Sequence, residues 1–153
     1  MIHLSIPSLP PSVNDVYMTI RANKGGQKIT LRPLTPEGRK YKKETIAHLV
    51  KKYQPQLLQM TPDTPYILFI RLTVLNLTNK GWANKTTARY KRYDVSNHFK
   101  TLEDCIVEAT GVDDTNFLIV AGEKVQGGVE QSDVYIWNLE KEESPFYEAA
   151  IGV

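Results

Sequence analysis

Apolar and polar positions follow a readable period along most of this chain. Met1 to Leu9 reads as a first strand, closed by Pro10-Pro11, which cannot extend a hydrogen-bonded ladder. Ser12 to Ile20 reads as a loop or short strand, Gly25-Gly26 as a turn and Lys28 to Leu31 as a short strand. Thr35-Pro36-Glu37 opens a helix: threonine caps it, proline suits the first helical position, and glutamate complements the positive end of the dipole. Tyr41, Ile46, Leu49, Val50 and Tyr53 give that helix an apolar face, and Pro55 is expected to end it. Tyr66 to Leu77, rich in Ile, Leu, Phe and Val, reads as a long central strand. Thr78 to Tyr93 is polar, basic and aromatic, and is expected to be a mobile loop or a hairpin tip. A second helix spans about Ser96 to Ala109, with Val95, Phe99, Leu102, Ile106 and Ala109 recurring at four, three, four and three. Gly111 is placed to end it. Two strands follow, Phe117 to Val125 and Asp133 to Leu139, with Gly127-Gly128 turning between them. The acidic tail from about residue 140 is expected to pack loosely. The order implies one domain over residues 1–153, of α+β class, with a mixed β-sheet and two main helices packed on one face.

Composition changes this picture little, but the charge distribution does. The chain has 153 residues and is 41% hydrophobic, enough to bury a core without disulfide or structural metal. One cysteine, Cys105, permits no internal disulfide, and a reducing compartment is the simplest reading. The N-terminus lacks a basic stretch followed by an apolar core, so no signal peptide is expected. No apolar run is long enough to span a membrane, and a cytoplasmic protein with no membrane partner is expected. The net charge is +2, yet residues 1–100 hold 17 Lys/Arg against 5 Asp/Glu while residues 101–153 hold 2 against 12. Such polarity suits a polyanionic partner on one surface. A fold that intermixes the halves would erase it.

The chemistry concentrates between Arg92 and Asn116. Asp94 sits before the second helix, and Asn97, Lys100 and Asp104 follow at spacings of three and four, forming one polar stripe opposite the apolar one. Asp113-Asp114 comes just after the helix. Hard divalent cations prefer carboxylate oxygens, and a bound cation activates water and neutralises charge on a phosphodiester. A lysine at the same phosphate stabilises developing charge. The same residues also suit a helix start, a turn and an exposed i,i+4 pair with no chemistry at all. A helix of this length is about 20 Å long, so Asp94 and Asp114 meet only if the chain doubles back.

Asp94-x-x-Asn97-x-x-Lys100-x-x-x-Asp104 followed by Asp113-Asp114 resembles the RusA family of Holliday-junction resolvases. Pro10-Pro11-Ser12-Val13-Asn14 with Tyr17, and Thr35-Pro36-Glu37-Gly38 with Tyr41, are similar to two further family segments, in the right order. The resemblance covers about residues 4 to 126. It implies a RusA-like fold and a homodimer that resolves four-way DNA junctions in recombination and repair, using Mg²⁺ or Mn²⁺. Asp94 and Asp114 match the family's metal-binding catalytic aspartates and Lys100 its catalytic lysine. Asp113 is a further candidate ligand, and Ser96, Asn97 and Asp104 occupy supporting positions. Ser96 departs from the pattern, which has an aspartate there. A neutral hydroxyl caps a helix but is a poor metal ligand, so a junction-binding protein that cuts weakly or not at all is the alternative.

Asn14 and the basic residues Lys80, Lys85, Arg89, Lys91 and Arg92 are the expected DNA contacts, because cations neutralise phosphates and the interleaved Trp82, Tyr90 and Tyr93 can stack on unpaired bases. Arg39, Lys40, Lys42 and Lys43 form a second cluster that suits a solvated helix face. His3, His48 and His98 show no metal-ligand spacing, and Cys105 lies beside the apolar stripe as a buried thiol would. A protein-interaction module whose acidic C-terminal part is its contact surface remains a third reading.

Overall fold

The computed structural model describes residues 1–85 and 88–146, with Ala83 and Lys85 described for their backbone alone. The elements run β1 (Ile2–Ile6), α1 (Val13–Val16), β2 (Ile20–Lys24), β3 (Gln27–Leu31), α2 (Pro36–Leu57), β4 (Tyr66–Val74), α3 (Trp82–Lys85), α4 (Val95–Thr110), β5 (Phe117–Gln126) and β6 (Gln131–Asn138). Four strands form one sheet in the order β1-β6-β4-β5, while β2 and β3 pair separately. β5 lies parallel to β4, and β6 is antiparallel to both β4 and β1. The fold is therefore α+β with a mixed sheet.

Alternation along β4 decides where the core sits. Tyr66, Leu68, Ile70 and Leu72 point to one face and are buried, with Val134 and Ile136 of β6 and Leu4 and Ile6 of β1 beside them. Leu49 and Leu57 of α2 and Leu102 and Ile106 of α4 cover that face. Each fully buried leucine or isoleucine contributes roughly 1.5–3 kcal/mol. The opposite face carries Phe69, Tyr135 and Trp137. Phe146 of the tail lies over them, its ring 6.0 Å from Phe69 and 6.5 Å from Trp137. The described part of the tail thus places Phe146 against this aromatic face. Glu142 also pairs with the N-terminal ammonium. Residues 147–153 lie outside the described residues.

Local rules fix most boundaries. Thr35 accepts from the Gly38 N–H at 3.0 Å, with Pro36 at the first helical position, so α2 starts where the sequence places it. Pro55 does not terminate α2. Tyr53 leaves helical geometry (φ −124°, ψ 16°), and a last turn then runs to Leu57. Proline removes one helical hydrogen bond and its ring crowds the preceding turn, which produces a break rather than an end. Val50, expected on the apolar face, is 41% exposed. The central strand stops at Val74, three residues before Leu77, where the chain enters the basic excursion. That excursion closes as a hairpin-like loop, with Thr78 bridged to Tyr90 and α3 at its tip.

Gly122 seats α4 on the sheet. A Cβ there would stand 2.1 Å from the Ile70 carbonyl oxygen and 2.4 Å from Cζ of Phe99, so the Phe99 ring packs directly onto bare backbone.

Candidate active site

The two halves of the site are both carried by α4. Asp94 is its N-cap: Oδ1 accepts from the Ser96 N–H at 3.2 Å and the Ser96 hydroxyl at 2.7 Å, and Oδ2 accepts from the Asn97 amide at 3.0 Å. The hydrogen bond from the Ser96 side chain, with smaller help from backbone N–H groups, holds the Asp94 carboxyl below its ordinary value. Tyr93, the residue before it, stacks on His98 at 3.9 Å, and its carbonyl accepts from Lys124 at 3.1 Å. His98 Nδ1 donates to the Pro10 carbonyl at 2.6 Å. These contacts, rather than the exposed carboxylate itself, fix where Asp94 stands.

The second half lies farther along the same helix. Lys100 Nζ is 3.0 Å from Asp114 Oδ2, 3.3 Å from Asp104 Oδ1 and 3.8 Å from Glu103 Oε2. Asp114 reaches Lys100 because the chain reverses after α4. Gly111, in the left-handed region, ends the helix, Val112 is buried, and Asp113 caps the 3-10 turn Asp114–Asn116. Asn116 then donates to the Pro62 and Thr64 carbonyls and pins that turn in front of β5. Asp113 itself accepts from the Thr115 N–H at 2.9 Å, and that backbone hydrogen bond lowers its pKa.

One ammonium faces three carboxylates in this cluster. Burial alone would lower the pKa of the Lys100 ammonium. The hydrogen bond to Asp114 and the charges of Glu103 and Asp104 outweigh it and hold the pKa above the ordinary lysine value. Glu103 is nearly buried, and desolvation raises its carboxyl above the usual range despite the nearby ammonium. Tyr17 Oη donates to Asp104 Oδ2 at 3.4 Å, tying the segment after α1 to the cluster.

The structure thus joins Lys100, Asp104 and Asp114, and separately joins Asp94, Ser96 and Asn97. Among the described residues, no three His, Cys, Asp or Glu side chains converge to hold a metal ion, so Asp94, Asp113 and Asp114 do not form a three-carboxylate group. Glu103 and Tyr17 are the members that a stripe drawn through Asn97, Lys100 and Asp104 omits. Glu103 stands at i+3 from Lys100 next to buried Leu102, a position that reads as the border of the apolar face.

The expected DNA contacts are scattered more widely. Lys80, Arg89, Lys91 and Arg92 are exposed on the excursion that leads into Asp94, and Asn14 is exposed on α1. Arg89 lies over Trp82 at 5.2 Å and over Tyr90 at 5.4 Å, two cation–π contacts that hold the loop's cations and aromatics together. The Lys85 side chain lies outside the described residues. Among the described residues, no helix is long and apolar enough to cross a membrane. No family model matches the chain, and no curated protein matches it significantly.

Proposed function

We propose that this protein is a structure-selective DNA endonuclease that resolves Holliday junctions or related branched DNA, in recombination and repair, by metal-dependent phosphodiester hydrolysis. One observation carries the reading: Lys100 and Asp114, fourteen residues apart in sequence, meet at 3.0 Å on the helix that Asp94 caps, directly after an exposed basic and aromatic segment. The family resemblance of the three motifs supports the same assignment. A four-way junction is two-fold symmetric, so two copies of the chain acting as a homodimer suit paired cuts. Cytoplasmic localisation fits a nucleic-acid substrate and a lone buried thiol.

The donors suit a hard divalent ion in type, because Asp94, Asp113 and Asp114 are exposed, all-oxygen ligands. Asp94 and Asp114 are the carboxylates that the resemblance assigns to Mg²⁺ or Mn²⁺, with Asp113 adjacent to Asp114; a shared ion would require Asp94 to close on the Lys100–Asp114 pair from its separate place at the start of α4. The ion, when bound, supplies Lewis-acid stabilisation of the phosphodiester and an activated water. The chain's own residues do the rest. Lys100 presents a protonated amine that stabilises charge on the phosphate oxygens. Ser96 and Asn97 orient the Asp94 carboxylate, and Asp104 and Glu103 keep Lys100 charged. The exposed cations of the excursion hold the DNA backbone through phosphate neutralisation.

Synthetic four-way junctions incubated with Mg²⁺ or Mn²⁺ test this directly. Nicking by the wild type, lost in Asp94→Asn, Asp114→Asn and Lys100→Ala, is the expected result. A protein that binds Mn²⁺ yet cuts no branched DNA refutes it. One observation favours a second reading, a junction-binding protein with little cleavage: both Asp94 oxygens are engaged by neutral donors, one of them the Ser96 hydroxyl where the family pattern has a carboxylate. That reading expects salt-sensitive junction binding without cutting, and gain of cutting in Ser96→Asp. Cleavage by the wild type at rates that Ser96→Asp does not improve removes it.

A further inference from the structure

The β2–β3 ribbon stands apart from the sheet. Its strands pair only with each other, through a turn in which Gly25 and Gly26 both have positive φ (58° and 83°), the geometry of a tight hairpin whose twist matches its strands. Its base is fixed: the Met18 N–H donates to the Pro33 carbonyl at 2.9 Å, and Tyr17 bridges Leu34. Between Val16 and Pro36 the chain carries Arg21, Lys24, Lys28 and Arg32 and no acidic residue.

Register sorts these residues onto two faces. Arg21 opposes Thr30 and Asn23 opposes Lys28, so one face is wholly polar and cationic. Ile20 opposes Leu31 and Ala22 opposes Ile29, giving the other face an apolar body, with Lys24 opposite Gln27 at its tip. Arg21, Asn23, Lys28 and Thr30 are all exposed, and among the described residues neither Arg21, Lys24 nor Lys28 has a carboxylate within ion-pair distance. Two unneutralised cations, Arg21 and Lys28, on one face of a ribbon of two five-residue strands, with Lys24 at its tip, form a surface complementary to a polyanion. A two-stranded ribbon also has the width that a DNA major groove admits. The base of the ribbon adjoins the candidate active site. Arg32 lies 5.9 Å over the Tyr17 ring, and Tyr17 donates to Asp104.

We infer that the β2–β3 ribbon is a second DNA-contacting arm, which places its Arg21/Asn23/Lys28/Thr30 face against the backbone of a duplex arm beside the site. The inference deepens the DNA-directed function above and rests on it. Duplex and not single-stranded DNA is its ligand, because the ribbon carries no aromatic side chain on which an unpaired base could stack.

The test is equilibrium binding of a labelled four-way junction and a labelled linear duplex, without divalent metal, across a salt series. The wild type is compared with the triple variant Arg21→Gln/Lys24→Gln/Lys28→Gln. A second triple variant, Arg39→Gln/Lys40→Gln/Lys43→Gln on α2, removes the same net charge elsewhere. Each phosphate contact contributes about 0.9 to the slope of log K against log salt, so the ribbon variant, which removes Arg21 and Lys28 from the contacting face, is expected to lose about 2 from its slope and at least about tenfold in affinity near 0.1 M salt. The α2 variant is expected to lose much less, and circular dichroism of both should match the wild type. Equal slopes for the ribbon variant and the wild type, or equal losses in the two variants, overturn the ribbon assignment while leaving the endonuclease reading standing. A wild type that binds neither DNA overturns both.

Discussion

Replacing Lys100 by methionine keeps most of the side chain's apolar length and removes only the charge. Three carboxylates then face one another with no cation between them: Asp114, Asp104 and Glu103, now 3.0, 3.3 and 3.8 Å from the ammonium. The lysine side chain is 43% exposed and Asp114 47%, so solvent screens those pairs and each is discounted to a few tenths of a kcal/mol. Glu103 is only 12% exposed and loses its one counter-charge, which adds to the cost. The summed loss is about 1–2 kcal/mol. For a chain of this size it lowers Tm by roughly 3–6 °C. The pH dependence carries a definite sign. The Lys100 pKa is raised in the folded protein, so its stabilisation is complete below the ordinary lysine value and fades as pH rises through the folded one. At the acid end Glu103 discharges from above its ordinary value, and its pairing with Lys100 is lost. Thermal unfolding followed by circular dichroism should therefore show the deficit at pH 7 and a smaller one near pH 4, where the Glu103 share is gone. Millimolar Mg²⁺ should restore more stability to the variant than to the wild type, because a cation replaces the missing ammonium. An equal deficit at both pH values, and in molar salt, would falsify the electrostatic account and assign the loss to packing.

Other substitutions probe different links. Gly122→Ala drives a methyl into the Ile70 carbonyl and the Phe99 ring, and should cost about 2–3 kcal/mol in urea unfolding; a neutral result means that α4 is not seated on this strand as described. Asp94→Asn keeps a capping oxygen, so its Tm should stay near that of the wild type while cutting is lost, whereas Asp94→Ala should lose the cap as well and drop roughly 2–4 °C. The Asp94 carboxyl is held below its ordinary value, so its contribution exists above the ordinary carboxylate pKa and disappears as pH falls through the folded one. The stability of Asp94→Asn should then fall less steeply on acidification than that of the wild type, a comparison that acid titration followed by tryptophan fluorescence makes directly. Lys124→Met removes the ammonium that holds the Tyr93 carbonyl, and should reduce cutting through a misplaced Asp94 with junction affinity changed less than cutting.

Most features set by neighbours within a turn or a strand are legible in the residues themselves, although the short helix at Val13–Val16 is not. The Thr35-Pro36 cap of α2, the apolar period of α4 and its glycine terminus, the alternation of β4 and the α+β class all follow from residues a few positions apart. The sequence also placed Asn97, Lys100 and Asp104 on one ridge, with Asp94 just before it, because helical geometry is nearly invariant. Tertiary structure decided the rest. The order β1-β6-β4-β5 pairs strands that lie as far apart as residues 2 and 136, and no local signal chooses among such pairings. Pro55 broke α2 without ending it, since packing of Tyr53 and Leu57 on the core sustains one more turn. The meeting of Asp114 with Lys100 depends on the buried Val112 and on Asn116 bonded to carbonyls more than fifty residues away. Glu103 is charged in sequence yet buried in place because its neighbours Leu102 and Ile106 draw that side of α4 into the core. Short-range periodicity fixes which side chains share a face; only the closure of the chain on itself fixes what each face meets.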